Sequence, residues 1–88
     1  MSTFEQAAAD VKNLKAKPSD QEMLQLYGLY KVGTGEDFSA AKQPGAFDFA
    51  GKYKYAEWKK RVEEGLTAEE AQEQYIKLVD ELKEKYGF

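Results

Sequence analysis

Apolar residues recur along this chain at helical spacing, and each of three such stripes opens beside a hydroxyl residue placed three positions before a glutamate. Phe4, Ala7, Ala8, Val11 and Leu14 make the first stripe. Met23, Leu24, Leu26, Tyr27 and Tyr30 make the second, and Ala71, Tyr75, Leu78, Val79, Leu82 and Tyr86 the last. Steps of i, i+3 and i+4 put one apolar face on an α-helix. The pairs Ser2/Glu5, Ser19/Glu22 and Thr67/Glu70 have the capping-box spacing, in which each side chain satisfies the other's orphan amide. The stops are equally local. Pro18 pushes its predecessor away from helical angles, Gly33-Thr34-Gly35 halts the second stripe, and Gly87 ends the last, after Lys83 and Lys85 have met the negative end of the helix dipole. The pattern predicts helices over about 3–15, 20–33 and 68–86.

Residues 34–48 are rich in turn formers and include Pro44-Gly45, so they read as a long loop, with Phe38, Phe47 and Phe49 available to pack it. From Ala50 to about Arg61 the run AGKYKYAEWKKR reads as a basic, aromatic helix. No stretch alternates with period two, and no repeat or low-complexity tract interrupts the chain. The expected fold is all-α, a four-helix domain over residues 1–88 with a long connection between its second and third helices.

Composition narrows what such a domain can do. A chain of 88 residues buries only about 60% of its unfolded surface, so most apolar side chains are needed to hold it together. Cysteine and histidine are absent, which removes disulfides, thiol nucleophiles, imidazole catalysis and most metal-ligand sets. Of the serines, Ser2 and Ser19 read as caps, and neither they nor Ser39 has a histidine to activate it. No enzyme activity, cofactor or metal is expected. No apolar run approaches the ~18 residues of a membrane span, and Met1–Asp10 lacks the regions of a signal peptide, so a soluble cytoplasmic protein is expected. The charge is uneven. Net charge is −3, yet residues 31–61 hold seven basic against four acidic groups, while residues 62–88 hold three against eight.

The basic middle carries the candidate chemistry. On the second helix Tyr27, Tyr30 and Lys31 stand at i, i+3 and i+4, with Met23 and Leu24 a turn earlier, so two phenol rings, an ammonium and an apolar strip share one side. Lys52 and Lys54 follow beside Tyr53 and Tyr55. A tyrosine ring can stack on a purine for about 1–3 kcal/mol, and its hydroxyl and a lysine can donate to phosphate. The ligand these residues suit is a phosphorylated compound with an aromatic ring and an apolar part.

The run from Pro18 to Lys31 (PSDQEMLQLYGLYK), then Gly35-Glu-Asp, Lys42-Gln-Pro-Gly, Phe47-Asp-Phe-Ala-Gly-Lys52, Lys54, Trp58, Ala71, Tyr75-Ile76 and the terminal ELKEKYG, resembles the acyl-CoA-binding protein family over essentially the whole chain. The ordered combination of YxxYK, PGxxDFxGKxK and Trp is what makes the resemblance specific. It departs from the family at Val32-Gly33, at Tyr55, where tryptophan is usual, and in the longer connection after Trp58.

The resemblance implies an up-down-down-up four-helix bundle that binds long-chain fatty acyl-CoA esters one to one, without catalysis, as an intracellular carrier and pool former. It further implies that Tyr30 stacks on adenine, that Tyr27, Lys31 and Lys54 bind the ribose 3′-phosphate, and that Tyr75 sits near the head group. Lys12 would face phosphate, and Ala8, Met23 and Leu24 the acyl chain. Phe4, Val11, Leu14, Ile76, Val79 and Leu82 would serve packing alone. A bundle this small implies a surface groove, a monomer, and at most transient contact with a membrane or an enzyme. Two other classes stay open on the residues alone. A single-stranded nucleic-acid binder could use Tyr27, Tyr30, Lys52, Lys54 and residues 59–61, although the acidic total disfavours it. A helical protein-interaction module is the other.

Overall fold

Caps set the helix starts in the structure, a computed structural model that describes residues 3–88. The hydroxyl of Thr3 accepts from the amide of Gln6 at 3.0 Å and begins α1, Phe4–Asp10. Ser2, expected to pair with Glu5, lies outside the described residues. A 3₁₀ turn, Val11–Asn13, follows α1, and Leu14 is already extended. Helix 1 is therefore shorter than the periodicity predicts. Its continuation is lost because the amide of Lys15 donates to the carbonyl of Gly87 at 3.0 Å, a distant partner that takes the place of the next helical turn.

The second and fourth helices match their expected limits. Ser19 and Glu22 exchange bonds of 2.8 and 3.2 Å in a capping box at the start of α2, Asp20–Gly33. Thr67 and Glu70 do the same for α4, Ala68–Tyr86, and Gly87 closes it at φ +86°. Helix α3 runs Phe49–Glu63, slightly beyond both predicted ends, and Asp48 sets its start by accepting from the amide of Gly51 at 2.9 Å. In the long connection a 3₁₀ turn, Phe38–Ala40, sets Phe38 against Tyr55 and Trp58, with ring centroids 4.8 and 5.0 Å away. Phe47 and Phe49 do not join that packing and stay exposed, contrary to expectation.

Cross-helix contacts give the topology. Tyr27, Gly28 and Lys31 of α2 meet Lys54, Glu57 and Trp58 of α3 in the same chain order, so these helices are parallel. Gly33 at the end of α2 accepts from Gln72 near the start of α4, and Glu22 at its beginning from Lys85 near the end, so α2 and α4 are antiparallel. Phe4 packs on Tyr75 while Asp10 pairs with Lys83, making α1 parallel to α4. The result is an up-down-down-up, all-α bundle. Its core is Ala7, Leu26, Leu29, Ala71, Tyr75, Val79 and Leu82. Among the described residues no helix is long and apolar enough to cross a membrane.

Candidate functional site

The 3₁₀ turn after α1 and the extended residues that follow it, together residues 11–18, line with α2 and the first turns of α3 an open cavity of about 940 Å³. That is the upper part of the range for small-molecule sites. Val11, Leu14, Met23, Leu24 and Leu26 supply apolar wall, and Lys12, Lys17, Tyr27, Tyr30, Tyr53 and Lys54 supply rings and ammonium groups. Tyr75 of α4 also lines it. Met23, Tyr30 and Tyr53 remain 43, 39 and 66% exposed, which places them at an open mouth.

The aromatic side is built on helical register. Tyr30 packs beside Phe4 and Tyr75, at centroid distances of 5.6 and 6.0 Å, and the exposed remainder of its ring is left for another ring to cover. Burial raises the pKa of the Tyr75 phenol, with Tyr30 adding to the shift. Two cations approach one ring. The ammonium groups of Lys31 and Lys54 lie 5.5 and 5.6 Å from the centroid of Tyr27. Lys31 is also 5.4 Å from the Trp58 ring and is paired with Glu36 at 3.0 Å. That bond to Glu36 is the main reason its pKa is raised, against the opposing effect of partial burial. Glu36 is itself held by the hydroxyl of Thr34 at 3.2 Å.

Seven of the nine residues assigned to binding by the resemblance therefore meet on one cavity: Lys12, Met23, Leu24, Tyr27, Tyr30, Lys54 and Tyr75. Lys31 stands behind Tyr27 with its ammonium on the Glu36 side, and Ala8 packs against the core. Val11 and Leu14, expected to serve packing alone, pack on the core and line the cavity as well. Pro18, Lys17 and Tyr53 are wall residues that sequence reasoning did not assign. The aromatic-basic character of the Tyr53 region was visible, but the place of residues 11–18 depends on the Lys15–Gly87 bond, which no local pattern encodes. Among the described residues no group of three or more acidic side chains could hold a metal ion. The arrangement can stack a ring, donate to phosphate and shelter an apolar chain.

Comparison with known proteins agrees with this chemistry. Residues 1–79 match the family described as Acyl CoA binding protein. The chain is 47% identical over 85 residues to acyl-CoA-binding protein homolog 1 of Caenorhabditis elegans, an alignment covering 97% of this chain and 95% of that one. It is 44% identical over 79 residues to the acyl-CoA-binding protein homolog of Manduca sexta, covering 90% and 86%. The crystal structure of Oryza sativa acyl-CoA-binding protein 2 superposes with a TM-score of 0.78 at 36% identity, covering 93% of this chain and 88% of that one.

Proposed function

The chain belongs to the acyl-CoA-binding protein family, a family of binding proteins, and from that premise we propose that it binds one long-chain fatty acyl-CoA in the cavity beside α2. In this reading it is a cytoplasmic monomer that carries and buffers acyl-CoA and performs no catalysis. The observation that carries it is the union, in one cavity, of an apolar wall with a rim of tyrosines and lysines. Tyr30 stacks on adenine through its exposed face. Tyr27, Lys54 and Lys31 bind the 3′-phosphate, Tyr75 donates near the head group, and Lys12 meets phosphate from the opposite wall. Met23 and Leu24 receive the acyl chain, as do Val11 and Leu14, and Ala8 supports that wall from behind.

Magnitudes require both ends of the ligand. Each methylene removed from water contributes about 0.8 kcal/mol, so a palmitoyl chain sets a ceiling on the order of 10 kcal/mol. Association and ordering subtract several kcal/mol, which leaves the chain alone a weak ligand. Stacking adds about 1–3 kcal/mol, and each charge-assisted bond about 1.5–3 kcal/mol. Calorimetric titration with palmitoyl-CoA, palmitate, CoA and a single-stranded oligonucleotide tests this. One equivalent of palmitoyl-CoA should bind far more tightly than the other three. Comparable affinity for palmitate would remove the head-group roles, and preference for the oligonucleotide would replace the reading.

A further inference from the structure

One short stretch at the end of α4 holds two walls of the cavity from behind. Helices α2 and α4 are antiparallel, so the ring end of the cavity, where Tyr30 packs 6.0 Å from Tyr75, lies along the first half of α4, and the apolar end, at Met23 and Leu24, lies beside its last turn. Two sets of bonds converge at that apolar end. The carbonyl of Gly87 accepts from the amide of Lys15 at 3.0 Å, and Lys15 stands between Leu14 and Ala16, which line one wall. The hydroxyl of Tyr86 donates to Glu22, and Lys85 pairs with the same carboxylate at 3.1 Å, directly before Met23 and Leu24 of the other wall. Residues 85–87 thus grip both sides, and none of the three lines the cavity itself. The contact is close. Gly87, at φ +86°, turns its carbonyl toward the 11–18 segment, and a Cβ on it would stand 3.0 Å from Cδ of Lys15.

We infer that residues 85–87 are a clasp that fixes the width of the apolar end and so sets how far along an acyl chain the cavity gains affinity. They are positioning residues for chain-length selection. The ligand in this inference rests on the proposed function, whereas the clasp itself rests on the two sets of bonds. An open cavity grips a methylene only where both walls reach it, because a gap of about 0.5–1 Å already forfeits a quarter to a half of a dispersion contact. While the walls are held, each further methylene enclosed strengthens binding by up to about fourfold. When either wall drifts, the last carbons stay in water. The rim of Tyr27, Tyr30 and Lys54 lies a helical turn or more from the clasp and keeps its contacts, so the loss falls on long chains alone.

Calorimetric titration of the full chain with octanoyl-, dodecanoyl- and palmitoyl-CoA reads the gain per carbon, and two variants open the clasp separately. Lys15→Pro deletes the amide donor, and Leu14, at φ −61° and ψ 142°, already has angles that suit a residue before proline. Tyr86→Phe with Lys85→Ala removes both long-range donors to Glu22 and keeps the aromatic ring and the Ser19–Glu22 cap. Each variant should hold the affinity for octanoyl-CoA within about twofold of wild type and lose about tenfold or more for palmitoyl-CoA. Val79→Ala weakens the core without touching the clasp, so it should lower Tm and leave the gain per carbon as in wild type. An equal loss for octanoyl- and palmitoyl-CoA, or an unchanged gain per carbon in the double variant, overturns the clasp. Wild-type protein that binds no palmitoyl-CoA removes the proposed function instead. Hydrogen exchange of the ligand-free proteins then decides by itself whether residues 85–87 hold the walls: amides of residues 11–14 in Lys15→Pro, and of residues 23–26 in the double variant, should exchange about fivefold faster or more, and unchanged rates overturn it.

Discussion

Lys31 sits where two demands on one cation meet: its ammonium lies over the rings of Tyr27 and Trp58 and is paired with Glu36 at 3.0 Å. A ligand phosphate bound at Tyr27 has to share that ammonium with Glu36. Exposed ion pairs of this kind are worth about 0–1 kcal/mol, so Glu36→Gln should tighten acyl-CoA binding by up to about fivefold. The same change on a Lys31→Ala background should do nothing, and tightening there, read by calorimetry, would show that Glu36 acts by another route. A second residue-scale prediction concerns Glu22. Its carboxylate accepts from the Tyr86 hydroxyl, the Ser19 amide and Lys85, and the Tyr86 bond above all lowers its pKa from 4.5 to about 2. A depressed carboxylate stabilises the fold above its ordinary pKa, and that contribution is lost as pH falls through the folded value. Stability should therefore drop between pH 4.5 and about 2. Urea unfolding across that range should show a flatter acid limb for Glu22→Gln, and an unaltered limb would remove Glu22 as the source. The spacing of Ser19 and Glu22 predicts a cap, but Tyr86 and Lys85 reach the same carboxylate from more than sixty positions away, which no local pattern encodes.

Between elements, the close approach of α2 and α3 depends on Gly28. A Cβ there would stand 3.0 Å from Cγ of Glu57, 3.1 Å from Cγ of Arg61 and 3.2 Å from the backbone oxygen of Glu57. The two side chains can move, but the carbonyl belongs to the α3 backbone. Gly28→Leu should wedge the helices apart, lower stability by about 1–3 kcal/mol in chemical denaturation, and weaken acyl-CoA binding, because Tyr27 and Lys54 face each other across this seam. Unchanged affinity in a destabilised variant would separate the seam from the site. Helix starts written by short-range hydrogen bonds, such as Ser19–Glu22 and Thr67–Glu70, were legible in the chain. What was illegible followed from long-range bonds. Lys15 to Gly87 keeps helix 1 from continuing past its 3₁₀ turn, and Val11 and Leu14 then line the cavity as well as packing on the core. Likewise the packing of Phe38 on Trp58, with Phe47 and Phe49 left out, depends on how the long connection folds back on α3.

For the whole molecule, the cavity joins residues from the 11–18 segment, α2, α3 and α4, so a ligand that fills it ties all these parts together. A ligand that binds only the folded state stabilises it by about 2.7 kcal/mol at one hundred times its dissociation constant. In a domain of this size each kcal/mol moves Tm by about 4–8 °C, so palmitoyl-CoA at that excess should raise Tm by about 10–20 °C. Palmitate reaches only the apolar wall, and CoA only the tyrosine and lysine rim. At equal concentration each should give a much smaller rise, and the two added together as separate molecules should fall short of the ester, because covalent linkage makes the second contact intramolecular. Tyr30→Ala removes a rim contact and so should cut the ester's shift by more than it lowers the unliganded Tm, whose loss is limited to the ring's packing on Phe4 and Tyr75. Val79→Ala, at a fully buried core position away from the cavity wall, should do the reverse: a lower unliganded Tm with the ester's shift retained. Calorimetric scans of the three proteins, each with and without the four ligand conditions, separate these effects. An equal shift from palmitate and palmitoyl-CoA in the wild-type chain would mean that the rim of Tyr27, Tyr30 and Lys54 holds no head group.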